Sequence, residues 1–204
     1  MSDIKVKVKI VGIAPTLMHN NQMCNPLNPY AKRVKTFTSK RKKTDEDYLE
    51  IAKIEWEAGF YYSEKSGPFI PSNNVEAMLR DAAKKLRKGT DVRQSVRVTP
   101  IEIPLQYTGP RDMESIKKIA YAGEKVNGED FFDMRAVGVN NATIMRARPR
   151  FNQWSLEFVI EADEAVFNID DVHQILSIAG SKIGLSDYRP RYGLFEVVKV
   201  EEVK

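Results

Sequence analysis

The chain has 204 residues, 42% of them hydrophobic and 29% charged, with a net charge of +4 and a pI near 9.0. Those proportions describe a globular chain with material for one sizeable core, and they exclude disordered and collagen-like classes. Cys24 is the only cysteine, so no intrachain disulfide forms and a reducing cytoplasmic location is expected. No stretch approaches the roughly 18 apolar residues of a membrane span, and the N-terminus carries no apolar signal-peptide core, so no membrane partner is expected.

Ile4, Val6, Val8 and Ile10 alternate with Lys5, Lys7 and Lys9, which predicts a strand with one buried and one charged face, ending by Pro15. The pattern then vanishes until Thr44, and Lys32, Arg33, Lys35, Lys40, Arg41, Lys42 and Lys43 cluster there. No Asp or Glu lies between Ile4 and Thr44, so the positive excess is local. Such a segment reads either as a solvated irregular loop or as a basic arm for nucleic acid, and the length of the acid-free span favours the arm.

Thr44 followed by Asp45, Glu46 and Asp47 predicts a helix start, with Tyr48, Leu49, Ala52 and Trp56 on one face and Gly59 at the end. Phe60-Tyr61-Tyr62 predicts a short strand; its rings read as core ahead of a base-stacking platform. Asn73 with Glu76 has capping-box spacing, and Val75, Met78, Leu79, Ala82, Ala83 and Leu86 make a helical apolar stripe that Gly89 stops. Lys84, Lys85, Arg87 and Lys88 complement the C-terminal dipole of that helix and need no ligand to explain them.

Val96 to Leu105 reads as a strand that Pro100 and Pro104 make an edge or a broken one. Met113 to Tyr121 predicts a short helix. Met134–Val139 and Thr143–Arg150 predict two strands turning at Asn140-Asn141. On the second, Ile144, Arg146, Arg148 and Arg150 share one face, and three arginines on one face require anions or acids to neutralise them. Asp133 and Glu129 are candidate partners, but they make no matching row.

Trp154 to Ile160 alternates as another half-buried strand. Asp170 reads as the cap of a helix ended by Gly180. Gly184 to Val197 is a loop with a glycine near each end, Pro190 in the middle, and Tyr188, Arg189, Arg191 and Tyr192 between them. Held on a stiff, glycine-hinged backbone, these residues suit phosphate and base contacts. The last strand follows, with its alternation slipping at Val197-Val198 as at a bulge.

The strong elements give an α+β chain with a ferredoxin-like or RRM-like β-α-β-β-α-β core in a single domain over 1–204. Segments 15–68 and 109–150 interrupt it as two insertions, and both carry clustered basic residues. The run Gly67-Pro68-Phe69-Ile70-Pro71-Ser72-Asn73-Asn74-Val75-Glu76-Ala77-Met78-Leu79-Arg80 resembles the lead-in to the first helix of the RAMP superfamily. The Gly184–Val197 loop resembles that superfamily's C-terminal Gly-rich loop. These are the ferredoxin-like proteins that include the backbone (Cas-seven-like) subunits of CRISPR effector complexes. Ser72-Asn73-Asn74 departs from the family's Gly-Ser-Ser, and the loop has fewer glycines than usual. The whole sequence also resembles phage or prophage relatives of these subunits.

The resemblance implies a palm-shaped core that binds single-stranded RNA along its backbone and stacks into filaments. In target-cleaving relatives an Asp follows the first strand; here no acid lies between Ile4 and Thr44 to take that role. Other relatives are metal-independent ribonucleases with a loop histidine, which makes His19 the catalytic candidate of a minor alternative. One cysteine and two histidines are too few for a zinc site, and no phosphate-cradling G-x-x-x-x-G-K-[ST] occurs, so neither metal nor cofactor is expected.

The leading expectation is therefore a non-catalytic protein for single-stranded RNA or DNA that self-associates. Arg146, Arg148, Arg150, Arg189 and Arg191 would contact phosphates, Lys40, Arg41, Lys42 and Lys43 would form a mobile clamp, and Tyr188 or Tyr192 would stack on a base. The alternative of a different class is a phage-borne interaction module whose basic patches meet a host defence or CRISPR-like protein complex.

Overall fold

The computed structural model describes residues 3–139 and 142–203. In chain order it forms β1 (Asp3–Gly12), β2 (Thr16–Leu17), α1 (Pro29–Thr38), α2 (Asp45–Gly59), β3 (Tyr62–Ser63), β4 (Gly67–Pro71), α3 (Ser72–Ala83) and α4 (Gly89–Ser95). There follow β5 (Val96–Thr99), β6 (Glu102–Pro104), α5 (Met113–Ala122), β7 (Phe132–Val139), β8 (Ala142–Phe151), β9 (Ser155–Asp163), α6 (Ile169–Ile178) and β10 (Phe195–Val203). The chain is thus α+β, with antiparallel sheets.

The main sheet runs β10-β1-β9-β5, every neighbour antiparallel. Period-two alternation puts Val6, Val8 and Ile10 on the same face as Leu156, Phe158 and Ile160, all buried. The apolar stripes of α3 (Val75, Met78, Leu79, Ala82) and α6 (Val172, Ile175, Leu176) join the same core. Each such side chain contributes about 1.5–3 kcal/mol by leaving water. On the opposite face Lys5 meets Glu161 at 3.4 Å and Lys9 meets Glu157 at 3.0 Å, so the alternating lysines are matched by acids on β9.

Smaller sheets, β2-β8-β7 and β3-β4-β6, flank this core. They enclose an aromatic cluster in which Trp56, Phe60, Tyr107, Phe131 and Phe151 meet edge to face. Trp56 Nε1 donates to the Phe131 carbonyl at 2.7 Å and ties α2 to the start of the β7–β8 hairpin.

Several local expectations are corrected. The segment after Pro15 is not irregular throughout: Asn28 caps α1 with Pro29 in its first turn, a start signal that the surrounding Asn and Pro residues disguised as a loop. In α2, Thr44 and Asp47 do form a capping box, yet Tyr48 and Leu49 are 55% and 59% exposed and the buried face is Ala52, Glu55 and Trp56. Asn73 and Glu76 form no box; α3 follows Pro71 without a side-chain cap, and Glu76 instead accepts from the Val98 amide at 3.0 Å. That helix tightens at Lys84–Leu86 and closes at Arg87, and Gly89 begins α4 instead of ending α3.

Asn168, not Asp170, caps α6, boxed with Asp171. Pro100 does break the expected strand, sending its halves to different sheets as β5 and β6. The register between β1 and β10 slips where Lys9 faces Lys199 and Ile10 faces Val197, leaving Val198 as the extra residue of a bulge. The β7–β8 pairing is present, and the Asn140-Asn141 turn lies outside the described residues.

Candidate nucleic-acid interface

The C-terminal loop is locked in place by backbone. Gly184 and Gly193 both take positive φ, +79 and +74. Leu185 donates to the Gly193 carbonyl, Gly193 to the Pro15 carbonyl and Asp187 to the Leu17 carbonyl, at 2.8 to 3.0 Å. An ideal Cβ on Gly193 would sit 1.9 Å from the Leu185 carbonyl oxygen, so only glycine permits this closure. The loop is thereby held against the exit of β1, which brings His19 beside Ser186, Asp187 and Arg189 in one small cleft that Tyr61, Asn74 and Ala77 complete.

The arginine face of β8 looks onto the same region, but it is not bare. Arg146 pairs with Glu55 of α2, Arg148 Nε reaches Asp187 Oδ2 at 2.5 Å, and Arg150 pairs with Asp130 and, at 3.6 Å, with Asp133. Of the two candidate acids, Asp133 is a partner, while Glu129 accepts from the Asn152 and Gln153 amides instead; the other partners come from a helix and two loops, so no row of acids shows in the sequence. Glu55 is 8% exposed and also accepts from the Ala147 amide at 3.2 Å. Arg148 is 7% exposed, and its Nη1 is buried without a partner among the described residues.

Tyr188 and Tyr192 do not stand free as stacking platforms. Their rings lie 5.2 and 4.3 Å from the Arg135 guanidinium, which Asp133 also holds. Contact with that carboxylate pushes the Arg135 pKa up, which fixes its charge. Arg189 contacts Asp81 Oδ2 at 3.5 Å, while Arg191 is exposed with no ion pair among the described residues.

The expected clamp is divided in the same way. Lys40 Nζ contacts Asp47 at 2.5 Å and Lys43 Nζ donates to the Lys40 carbonyl at 3.1 Å, so both close the turn before α2. Arg41 and Lys42 are exposed and without ion pairs among the described residues.

Ahead of that turn, α1 packs along α2 and opens a cleft of about 670 Å³. Met23, Val34 and Ala147 give it an apolar floor, and Lys32, Lys35 and Arg146 bring positive charge. His19 and Asn21 line both this cleft and the smaller one at the loop, so the two adjoin. Ser186, Asp187 and Arg189 are shared in turn with a third cleft that includes Lys182 and Tyr188. Partial burial lowers the His19 pKa; Asp187 opposes that, and Arg148 and Arg146 reinforce it. The imidazole is therefore neutral at pH 7, and the structure gives its ring no side-chain hydrogen-bond partner among the described residues.

Sequence reasoning placed Lys32 and Lys35 in a basic arm but did not single out Glu55, Asp187 and Arg135 as part of this site. Glu55 was the detectable one, since an acid beside Trp56 on the inner face of a helix demands a buried cation. Among the described residues no group of three or more His, Cys, Asp or Glu side chains gathers as a metal site, and no helix is long and apolar enough to cross a membrane.

No protein-family model and no curated protein sequence matches this chain. Its structure is similar to a chain in the cryo-EM structure of the type III-B Cmr-beta complex bound to cognate target RNA, with a TM-score of 0.56 and 14% identity. The match takes in 99% of this chain and 61% of that one, so the protein spans about three fifths of its neighbour's length. At that identity the likeness is one of fold.

Proposed function

We propose that the protein binds single-stranded nucleic acid along its phosphate backbone, RNA in preference to DNA, without cleaving it. The observation that carries this reading is a track of three adjoining clefts that share His19 and, further along, Ser186, Asp187 and Arg189. Lys32, Lys35, Arg146, Lys182 and Arg189 line it, and Arg41, Lys42 and Arg191 supply unpaired charge on exposed segments. Arg148, paired with Asp187, serves mainly to hold the hairpin against the C-terminal loop, and Arg150, paired with Asp130 and Asp133, to brace the hairpin itself.

We read the β10-β1-β9-β5 sheet as a ferredoxin-like core of the RAMP type. Numbered in chain order these are strands four, one, three and two, with α3 between the first and second and α6 between the third and fourth, and that order supports the reading. Segments 15–68 and 109–150 are then the insertions that build the track. A fold neighbour that belongs to an RNA-bound assembly favours RNA.

If about 5 phosphates are neutralised, log K for a single-stranded 20-mer falls against log salt with a slope near −3 to −4. From about 50 to 200 mM salt that is on the order of a hundredfold. Filter binding measures it, and absence of affinity at low salt, or a flat slope, overturns the proposal.

A protein partner is the second reading, favoured by one observation. On the outer face of the inserted hairpin Met134 and Met145 are 44% and 51% exposed, with Ala136 between them in the β7–β8 register. Self-association through that face is compatible with a strand held in the track.

A further inference from the structure

The helix dipole accounts for only part of the basic cluster at the end of α3. Beyond Ala83 the chain tightens over Lys84–Leu86, and Arg87 closes it with a left-handed backbone, φ 61. That position is the one glycine fills most readily at a helix end, yet here it carries a cation. α4 then folds back at once from Gly89, where a Cβ would lie 2.7 Å from Lys84 Cγ.

The corner so formed is an open cleft of about 460 Å³ lined by Arg80, Lys84, Arg87, Gly89, Thr90 and Arg93. Four of those six residues are cations. The carboxylate that reaches them is Asp81, and it is oversubscribed: Lys84 takes it at 2.8 Å, Arg80 at 3.5 Å and, from the C-terminal loop, Arg189 at 3.5 Å. Arg80 Nε is buried without a hydrogen-bond partner among the described residues. Arg87 and Arg93 are exposed and make no ion pair among the described residues. Lys88, by contrast, is satisfied by Asp171 at 2.5 Å. The dipoles account for Arg80 in the last turn of α3, for Lys84 just beyond it and for Arg93 in the last turn of α4, but not for the gathering of these cations with Arg87 around one cleft.

We propose that this α3–α4 corner is a phosphate-binding site. Planar guanidinium groups that converge from two helices suit a tetrahedral oxyanion, and the neutral Thr90 hydroxyl adds a donor without opposing charge. The phosphate comes either from a diester of a bound strand or from a free phosphate. Asp81 links the corner to Arg189, so a strand leaving the track at the C-terminal loop meets this site next. The strand source rests on the function proposed above; the phosphate chemistry does not.

The experiment compares the full-length chain with Arg87→Gly, which suits the left-handed backbone, and with Arg87→Gly/Arg93→Gln, thermal unfolding first establishing that the fold is kept. Calorimetric titration with inorganic phosphate and filter binding of a single-stranded 20-mer RNA are run on each. If a strand supplies the phosphate, the double variant lowers the salt slope by about 1 and weakens RNA binding about tenfold at low salt. If a free phosphate occupies the site, phosphate heat is seen for the parent chain, is lost in the double variant, and the RNA slope is unchanged. Phosphate binding by a parent chain that binds no RNA keeps this site and removes the function proposed above. Identical phosphate and RNA behaviour in parent and double variant overturns the site.

Discussion

Arg148 Nε meets Asp187 Oδ2 at 2.5 Å, joining the β7–β8 hairpin to the C-terminal loop through an arginine that is almost wholly buried. Because the pair bridges two segments far apart in sequence, its loss loosens the wall of the track as well as costing energy. Asp187→Ala leaves a buried guanidinium without its partner, and a loss of about 2–3 kcal/mol is expected in urea unfolding. The Asp187→Ala/Arg148→Met double variant recovers part of that loss. A single variant within about 0.5 kcal/mol of the parent would show the pair to be idle.

The track predicts which lysines matter for RNA. Replacing Lys32, Lys35 and Arg189 together by Gln lowers the salt slope by about 2, at roughly 0.7 for each phosphate no longer neutralised. Lys5→Gln/Lys7→Gln/Lys9→Gln is the control, removing the same charge: all three face Glu157 or Glu161 across the charged side of the main sheet. Equal effects from the two sets in filter binding would mean that net charge, not the track, governs affinity.

The lowered pKa of His19 sets a pH dependence. Below the ordinary histidine value of 6.5 the unfolded chain takes up a proton that the folded one resists, so stability falls as pH drops from 7 towards 5. His19→Asn flattens that slope in unfolding curves taken across the range. The same variant leaves RNA intact in a cleavage assay, as the parent does; cleavage by the parent that the variant abolishes would restore the ribonuclease alternative.

Tyr192 lies 4.3 Å over the Arg135 guanidinium, an interaction worth about 0.5–2 kcal/mol. Tyr192→Leu is therefore expected to lower stability by that amount and to leave RNA affinity within about twofold. An affinity loss of tenfold at unchanged stability would return the ring to a base-stacking role.

The core was legible because its strands and helices carry clean periods. Alternation over Ile4–Ile10 and Leu156–Ile160, and the stripe from Val75 to Ala82, each place one face inward. The site was less so, for two physical reasons. Its charges are neutralised across distance, Arg146 by Glu55 and Arg148 by Asp187, and no local spacing reveals pairs separated by 91 and 39 positions. Its cleft depends on α1, whose Asn28-Pro29 start lies among residues that read as turn formers. The loop between Gly184 and Gly193 was readable as a constrained hinge, since glycine permits the positive φ that both positions take. The cation that Tyr188 and Tyr192 enclose comes from β7, more than fifty positions earlier in the chain.

The bulge at Val198 bears on how copies of the protein can meet. β10 is one border of the main sheet, and the slip opposite Lys9 and Ile10 interrupts an edge that also carries Glu196, Lys199, Glu201 and Glu202. The other border, β5, has four residues and runs into Pro100, which offers no amide hydrogen. Neither rim is a good template for another strand. Growth of a stack by continuing the sheet from copy to copy is disfavoured at both ends, so the spacing of strands would not set the repeat of an ordered array.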